Sequence, residues 1–341
     1  MPVQVITGNH AAGYALSSAG EANRTARGVA CGIYPITPQT EIVEYVAGFP
    51  FSKGRVVPVE SEHSAMAVSI GAAANGARAF TASSANGLAY MAENIMVAGY
   101  YRLPIVMVAV NRTLGPPWNI WADQGDTLML RDFAWLQFYC ETNQEILDTT
   151  LLAFKLAEDR RILLPVMTCM DAFIVSHTQA ETDLPQQDEV DRFLPDLELP
   201  HRMHPDEART LGGMTWPHED LSMRLEIDEA MNRVPEVYQE CRESFTEVFG
   251  RDPGDVIEAF ATDDAETVLI ASGTMATTCR EVVRRRRAEG EKVGLVKVKM
   301  NRPYPEIRLR EACRAASKLA VLDRNYAAGS GGVFWQDTRA A

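Results

Sequence analysis

Four short motifs hold most of the side chains that could do chemistry, and each follows an apolar run typical of a β-strand. The first three also open a helical pattern. In an open α/β sheet such junctions lie at the carboxyl ends of the strands, where ligands bind. We therefore predict one site built from several loops. In chain order the motifs are Tyr34-Pro35-Ile36-Thr37-Pro38, Glu60-Ser61-Glu62-His63-Ser64, Thr81-Ala82-Ser83-Ser84-Ala85-Asn86-Gly87 and Asn111-Arg112-Thr113.

The two charged side chains of most interest are Glu62 and Arg112. A carboxylate in a dry pocket can drive a proton shift on a bound ligand, and a guanidinium can bind a substrate carboxylate through two parallel hydrogen bonds. Both residues also have purely structural explanations. Ser61 can cap a helix whose acidic first turn suits the helix dipole. Arg112 can lie at the surface and pair with Asp123 or Asp126.

The other two motifs contain capping and small residues. Thr37 is predicted to be the N-cap of a helix over 38–47, with Pro38 at its first position. The same hydroxyl group could also serve a ligand. Residues 83–87 predict a small-residue turn whose backbone N–H groups can approach a ligand closely. A tight connection between a strand and a helix would need the same residues.

Composition narrows the classes of protein to consider. The chain has 341 residues and a net charge of −13, which argues against nucleic acid or an anionic membrane as its main partner. The run Arg284–Arg287 lies within a predicted helix and favours a solvated or partner-facing surface. The N-terminus lacks the pattern of a signal peptide, and no apolar stretch of about 18 residues predicts a membrane helix. We therefore expect a cytoplasmic protein.

The cysteines argue against a metal centre on this chain. They are spread along its whole length, and none forms a C-x-x-C pair. This spacing fits neither an iron–sulfur cluster nor a zinc site. If the reaction is redox, we expect the electron carrier on another chain. The cysteines are Cys31, Cys140, Cys169, Cys241, Cys279 and Cys313.

Strand and helix patterns alternate through the first half of the chain, which predicts a doubly wound parallel sheet. The continuous apolar run at 104–110 is typical of a strand covered on both faces. A long loop is expected over 111–126. Strands are predicted at 31–36, 56–59, 77–82, 104–110 and 164–169, and helices at 9–29, 38–47, 62–75, 86–99, 127–136 and 144–160.

The second half predicts a smaller α/β unit. Periodicity is lost over 176–218, which we interpret as an ordered surface excursion, and 219–250 predicts a long helix interrupted near Pro235. The unit then has strands at 267–271, 293–298 and 318–322, with helices at 275–289 and from Pro305 and Val333. It ends before the further strand that such a sheet needs, so we expect it to be truncated. The predicted domains are 1–235, a connecting helix 236–254, and 255–341.

In their residues and in their order along the chain, the four motifs resemble the α subunit of the 2-oxoacid:ferredoxin oxidoreductases, most closely the pyruvate type. Further stretches carry the resemblance along nearly the whole chain. The resemblance implies a pyrimidine-binding thiamine diphosphate (TPP) domain followed by a transketolase C-terminal-like domain. It also implies oxidative decarboxylation of a 2-oxo acid with CoA, with electrons passing to ferredoxin through iron–sulfur clusters. The stretches include Asp171-Ala172-Phe173-Ile174, Ser176-His177-Thr178, Arg302-Pro303-Tyr304-Pro305 and Val321-Leu322-Asp323-Arg324-Asn325.

The resemblance also implies roles for individual residues. Glu62 matches the glutamate that activates the aminopyrimidine ring of TPP, Arg112 the arginine that binds the 2-oxo acid's carboxylate, and Thr37 a threonine that bonds substrate or cofactor. The loop that starts at Pro116 and Pro117 and ends in Asp123-Gln124-Gly125-Asp126 looks like the family's active-site loop. The implied cofactor-binding residues are Glu62, Pro35, Thr37, Ser84, Asn86 and Gly87, and the implied substrate pocket is Thr37, Arg112, Trp118 and Trp121.

The division of the site between chains is also implied by the resemblance. The chain lacks the Gly-Asp-Gly segment that holds Mg²⁺ and the diphosphate of TPP. The resemblance therefore implies a β subunit that completes the TPP site and γ and δ subunits that carry the clusters. Three alternatives remain: the same reaction on an aromatic 2-oxo acid, such as phenylglyoxylate to benzoyl-CoA, or on another 2-oxo acid; a non-catalytic scaffold; and a nicotinamide-linked dehydrogenase. The last would need a glycine fingerprint that the loop Gly329-Ser330-Gly331-Gly332 does not provide.

Overall fold

The computed structural model describes residues 3–341 of the chain. The elements of its first half are β1 (Val3–Thr7), α1 (Gly8–Glu21), β2 (Val29–Ile33), α2 (Thr40–Gly48), β3 (Gly54–Pro58), α3 (Glu62–Ala74), β4 (Arg78–Ser83), α4 (Ala85–Tyr90), α5 (Ala92–Tyr100), β5 (Ile105–Asn111), α6 (Gly125–Leu128), β6 (Leu136–Cys140), α7 (Asn143–Glu158) and β7 (Val166–Asp171).

The second half contains fewer strands and one long helix. Its elements are β8 (Gln179–Asp183), α8 (Gln187–Phe193), α9 (Pro217–Phe249), β9 (Ile257–Phe260), β10 (Thr267–Ala271), α10 (Met275–Ala288), β11 (Val293–Val298), β12 (Met300–Arg302), α11 (Glu306–Cys313), β13 (Lys318–Val321) and α12 (Val333–Ala340). Within the described residues, no helix combines the length and the apolar character needed to cross a membrane.

The larger sheet has seven strands in the order β12-β6-β7-β5-β4-β2-β3, all parallel except β12. Its central strands β4, β5 and β7 are buried along their whole length. Helices cover both faces, with α1 and α7 in one apolar core and α3 and α5 in another. The apolar run predicted for a doubly covered strand is therefore confirmed in β5.

The smaller sheet has the order β13-β10-β11-β9, with β9 antiparallel to β11. The chain leaves this sheet after β11 and adds β12 to the larger sheet, antiparallel to β6. One strand from the C-terminal part thus completes the edge of the N-terminal sheet. The domain limits at 235 and 255 stay a prediction.

The helix predicted over 127–136 is wrong. Helix α6 ends at Leu128, and Leu136–Cys140 forms the fully buried strand β6 between β7 and β12. Its pairing partners on both sides are distant in sequence, so packing overrides the helical pattern. The neighbouring Trp135 is buried and donates its indole N–H to the Ile95 carbonyl oxygen over 2.7 Å.

Thr37 is not the N-cap that the sequence predicts. Helix α2 begins at Thr40 with Gln39 in the capping position, and residues 37–39 form a turn. The Gln39 side chain donates to the Tyr34 carbonyl oxygen over 2.7 Å, and its backbone N–H donates to Ile36 over 2.8 Å. These bonds close the turn before the helix starts, which leaves the exposed Thr37 free of a capping role.

Three other predicted elements need correction. The helix predicted over 86–99 is two helices that meet at Met91. The excursion 176–218 contains β8, which pairs with the unpredicted strand β1, and helix α8. Helix α9 runs through Pro235 without the predicted interruption. A strand of five residues and a helix of seven carry too little periodicity to be recognised in a polar segment.

A buried ion pair holds the excursion against the larger sheet. The Arg78 guanidinium is fully buried and donates to both Glu158 carboxylate oxygens over 2.6 and 2.7 Å. It also donates to the carbonyl oxygens of Ala19 and Pro195, each over 2.9 Å. One side chain therefore joins β4, α7, α1 and the segment that follows α8.

Replacing Arg78 with methionine should lower the free energy of unfolding by about 3–5 kcal/mol, because the Glu158 carboxylate stays behind without its partner. Urea unfolding followed by circular dichroism measures this loss. The matched control is Arg161→Met, which removes a more exposed arginine paired with Asp159 and Glu240; it should cost roughly 1 kcal/mol or less. Equal losses in the two variants would contradict a special role for the buried pair.

Candidate functional site

Glu62 lies at the start of α3, just past the carboxyl end of β3. Ser61 caps this helix by accepting a hydrogen bond from the Ser64 backbone N–H over 3.3 Å. The Glu62 side chain is buried, and within residues 3–341 its carboxylate receives no hydrogen bond from protein. A buried carboxylate without a donor has capacity to bond a ligand. The helix cap and the free carboxylate therefore coexist in one turn.

The absence of a side chain at Gly87 leaves space for the Glu62 carboxylate. A Cβ atom at Gly87 would lie 2.7 Å from Glu62 Oε1 and 2.5 Å from Ser83 Oγ, so any other residue type would displace one of these side chains. The Ser83 hydroxyl is buried and also lacks a partner within the described chain. Sequence analysis placed Ser83 in the turn but did not single it out. The structure brings Glu62, Ser83 and Gly87 together.

The turn that carries Gly87 is held by its own side chains. The Ser84 hydroxyl donates to the Val110 carbonyl oxygen over 2.6 Å. Ala85 has a left-handed backbone with φ of 45°, which costs energy for a residue with a Cβ atom. The Asn86 side chain accepts from the Gly115 N–H over 2.8 Å and donates to the Gly115 carbonyl oxygen over 3.1 Å. Ser84 and Asn86 therefore shape the turn with groups already engaged by protein.

Arg112 follows β5 and reaches across the site edge. Its Nη1 donates to the Thr37 carbonyl oxygen over 2.6 Å, whereas its buried Nε lacks a partner within residues 3–341. Burial lowers the pKa of Arg112, although the nearby Asp126 opposes this shift. The guanidinium keeps donors for a further ligand. The structure thus brings Arg112 and Thr37 together, through the Thr37 backbone.

Asp126 is completely buried beneath these turns. Its carboxylate accepts the Ala85 N–H over 2.9 Å, the Arg112 backbone N–H over 3.1 Å and the Asn111 side-chain amide over 2.8 Å. Burial raises its pKa to about 7, against the pull of these donors. The sequence suggested Asp126 as an ion-pair partner of Arg112 and as the last residue of a loop resembling the family's active-site loop. The contact instead goes to the backbone of Arg112, which no side-chain pattern reveals.

The residues 113–121, here the tryptophan loop, extend from the site edge toward solvent. Trp118 and Trp121 are 72% and 71% exposed. A Cβ atom at Gly115 would collide with the Trp118 ring, and Thr113 holds the Trp121 carbonyl oxygen through its N–H over 3.0 Å. The two indoles do not close a pocket within this chain. Pro35 is exposed on the same edge.

The C-terminal unit touches the site from the other side. Asp171, at the end of β7, accepts the Thr274 backbone N–H over 2.8 Å and forms an ion pair with Arg324 at 2.8 Å. The Arg324 carbonyl oxygen in turn accepts the Gln124 N–H over 2.8 Å, directly before α6. In the sequence, Asp171 and Arg324 stood out only as parts of the resemblance. They connect the second unit to the helix that carries Asp126.

The part of the chain that the structure describes contains no group of three or more histidine, cysteine, aspartate or glutamate side chains placed to hold a metal ion. Of the cysteines, Cys313 is half-buried and the other five are buried. Burial raises the pKa of the Cys31 thiol to about 12, so this thiol is not a ready thiolate ligand.

Two family models match the chain. The pyruvate flavodoxin/ferredoxin oxidoreductase, thiamine diphosphate-binding model matches residues 21–243. The pyruvate:ferredoxin oxidoreductase core domain II model matches residues 265–341. Together these matches lie on both α/β units.

Curated relatives match over nearly the full chain. A pyruvate synthase subunit PorA of Methanothermobacter thermautotrophicus is 41% identical over 343 residues, covering 100% of this chain and 88% of the relative. A ketoisovalerate oxidoreductase subunit VorA of Pyrococcus furiosus is 42% identical over 343 residues, covering 99% of this chain and 84% of the relative.

Solved structures confirm the fold class. A 2-oxoglutarate:ferredoxin oxidoreductase from Magnetococcus marinus superposes with a TM-score of 0.76 at 21% identity, and the match covers 99% of this chain but 60% of that one. A transketolase from Campylobacter jejuni gives a TM-score of 0.55 at 10% identity, covering 99% of this chain and 45% of the other. These likenesses concern the fold alone. The family-model match and the identities to full-length relatives show that the chain belongs to the pyruvate flavodoxin/ferredoxin oxidoreductase family.

Proposed function

We propose that the chain is the α subunit of a pyruvate:ferredoxin oxidoreductase, which converts pyruvate and CoA to acetyl-CoA and CO₂ and passes two electrons to ferredoxin. One observation carries the proposal: the buried Glu62 carboxylate, without a donor from residues 3–341, faces the space that Gly87 leaves open. It lies in the segment matched by a TPP-binding family model.

The residues at the site edge fit the aminopyrimidine half of TPP. When bound, TPP supplies the carbon nucleophile and electron sink for decarboxylation of a 2-oxo acid. Glu62 would accept a hydrogen bond from a ring nitrogen and so favour the proton shift that activates the cofactor. Pro35, Thr37 and the turn with Ser84, Asn86 and Gly87 would form the wall around the ring, and the unpartnered Ser83 hydroxyl is an added donor.

Arg112 would bind the carboxylate of the 2-oxo acid. Its Nη1 is engaged by the Thr37 carbonyl oxygen, which orients the guanidinium plane while other donors remain. Its backbone is fixed by Asp126. A substrate carboxylate would also find Thr37 at this position, and Trp118 and Trp121 could cover it once a partner chain packs against their exposed rings.

Several further assignments belong to the same proposal. A β subunit would supply Mg²⁺ and the diphosphate half of the TPP site, because the sequence lacks a Gly-Asp-Gly segment. Subunits of the γ and δ type would carry the iron–sulfur clusters, because the cysteines here are dispersed. The complex would work in the cytoplasm. The domain limits 1–235 and 255–341 agree roughly with the two family matches.

A branched-chain 2-oxo acid is the second candidate substrate. Ketoisovalerate oxidoreductase subunits are 41–42% identical to this chain, as similar as the pyruvate synthase subunits at 38–42%. Overall identity therefore does not choose between the two acids. The phenylglyoxylate alternative has no specific support. A scaffold role is disfavoured, because Glu62 and Arg112 lie at the same edge of the sheet.

The substrate is tested by assaying the purified complex with CoA, TPP and a viologen dye as electron acceptor. We expect kcat/KM for pyruvate to exceed that for ketoisovalerate by at least about tenfold, the usual worth of one or two methylene groups in a fitted pocket. Phenylglyoxylate and 2-oxoglutarate serve as further substrates. The reverse order would assign the chain to the branched-chain type.

Replacing Glu62 with glutamine should lower kcat at least tenfold, a loss of about 1.4 kcal/mol or more, because the amide is a poor proton acceptor. Calorimetric titration should show TPP affinity nearly unchanged. The matched control is Glu60→Gln, which alters an exposed glutamate two positions away and should stay near the wild-type rate. Retention of more than about a tenth of the rate in Glu62→Gln would exclude Glu62 as the activator.

Replacing Arg112 with alanine should lower kcat/KM for the 2-oxo acid by roughly 2–4 kcal/mol, because a charge-assisted bidentate contact is lost. The Arg112→Lys variant keeps the positive charge but cannot donate two parallel hydrogen bonds. Its kcat/KM for the 2-oxo acid should therefore lie between those of wild type and Arg112→Ala. Steady-state kinetics measures the effect on the 2-oxo acid, and calorimetry measures the effect on TPP binding. A loss of TPP affinity with unchanged substrate kinetics would place Arg112 on the cofactor.

A further inference from the structure

Asp126 connects two parts of the candidate site that are distant in sequence. One carboxylate oxygen, Oδ2, accepts both the Ala85 backbone N–H and the Arg112 backbone N–H, over 2.9 and 3.1 Å. The other oxygen accepts the Asn111 amide over 2.8 Å. Because a single atom receives the first two bonds, it sets the separation between the turn that follows β4 and the end of β5.

The two bonded N–H groups belong to segments with separate tasks. Ala85 begins α4, whose Gly87 lies against Glu62, and its left-handed φ of 45° is held by the bond to Asp126. Arg112 presents the guanidinium that reaches Thr37. A residue in a strained backbone conformation persists only where its surroundings determine it. The carboxylate therefore determines the geometry of both segments.

Asp126 is itself fixed from the C-terminal unit. It is the second residue of α6, and the residue before that helix, Gln124, donates its N–H to the Arg324 carbonyl oxygen over 2.8 Å. Arg324 is bound to Asp171 at the end of β7. A continuous series of polar contacts thus runs from the second unit to the site.

We propose that Asp126 is a positioning residue that holds the cofactor-binding turn and Arg112 at one fixed separation. This inference rests on the proposed function, since it assigns the turn to TPP and Arg112 to the 2-oxo acid. Asp126 is completely buried, so it would act through the two N–H groups that it accepts. Its position matters more than its charge, because each contact uses only the accepting oxygen.

Three substitutions of Asp126 distinguish the effect of the position of its oxygens from the effect of its charge. Asp126→Asn keeps an oxygen for the two N–H groups. Its new amide can donate to the Asn111 side-chain oxygen, which has no partner within residues 3–341, once the Asn111 amide turns over. Asp126→Glu keeps the charge but moves the carboxylate by one methylene. Asp126→Ala removes both acceptors. The matched control is Asp148→Asn, at a buried aspartate that binds Arg251 and Gln144 away from this edge.

In the assembled complex, hydrogen–deuterium exchange should rise at least tenfold in peptides covering 83–88 and 110–114 for Asp126→Ala and Asp126→Glu. The dissociation constant of TPP and the KM for the 2-oxo acid should both rise at least tenfold, with a smaller change in kcat. Asp126→Asn should stay within threefold of wild type in every measurement. Asp148→Asn should leave exchange in both peptides unchanged.

Unchanged exchange in the two peptides of Asp126→Ala and Asp126→Glu would overturn the proposal, as would an Asn variant as defective as Ala. If Asp126→Ala does not assemble, the contrast between Glu and Asn decides alone. Hydrogen–deuterium exchange and the dissociation constant of TPP can both be measured on a complex that does not turn over substrate. A wild-type complex that binds TPP without oxidising any 2-oxo acid would therefore refute the proposed function while leaving the result on Asp126 readable.

Discussion

The candidate site depends on a carboxylate that the fold removes from water. A polar group in a dry interior is stable only when hydrogen bonds replace its hydration, and Asp126 obtains these from Ala85, Arg112 and Asn111. The requirement works in both directions. The Ala85 N–H, just after β4, is itself buried and needs an acceptor. Satisfying the carboxyl oxygens and satisfying the backbone are therefore one structural solution, and it fixes the edge of the sheet where the site lies.

A second group of buried charges explains why the two units behave as one structure. Lys297, on β11, is almost fully buried and forms ion pairs with Glu141 and Glu145 at 3.0 and 2.8 Å. These carboxylates lie at the start of α7, in the N-terminal unit. Replacing one member of this network would leave the others buried without a partner, which costs far more than losing an exposed ion pair. Together with strand β12, this network makes the contact between the units part of the fold.

The sequence predicted much of the sheet because parallel strands buried on both faces are continuous apolar runs, as β5 shows. It failed where long-range packing decides the outcome. Strand β6 was not predicted, and its first residue, Leu136, was placed at the end of a helix, because its partners, β7 and β12, lie far along the chain. At the site, motif residues such as Glu62 were recognisable by type. Asp126 and Ser83 were not assigned a role, since what distinguishes them is burial and contact with backbone groups, which a side-chain pattern does not encode.

The side chains at the site edge differ in exposure, from buried groups that could act on a ligand to rings that face solvent. The groups that would act on a cofactor are buried or half-buried, as in Glu62 and Arg112, whereas the tryptophan loop presents two large apolar rings to solvent. Electrostatic catalysis needs a site from which water is excluded, and this chain does not exclude it from the outer side. Under the proposed function, the wall on this side would come from a partner chain. Because aromatic side chains provide a large part of the binding energy at interfaces, the same two rings that leave the site open would give a partner its main contact. Assembly and exclusion of water would then be a single event.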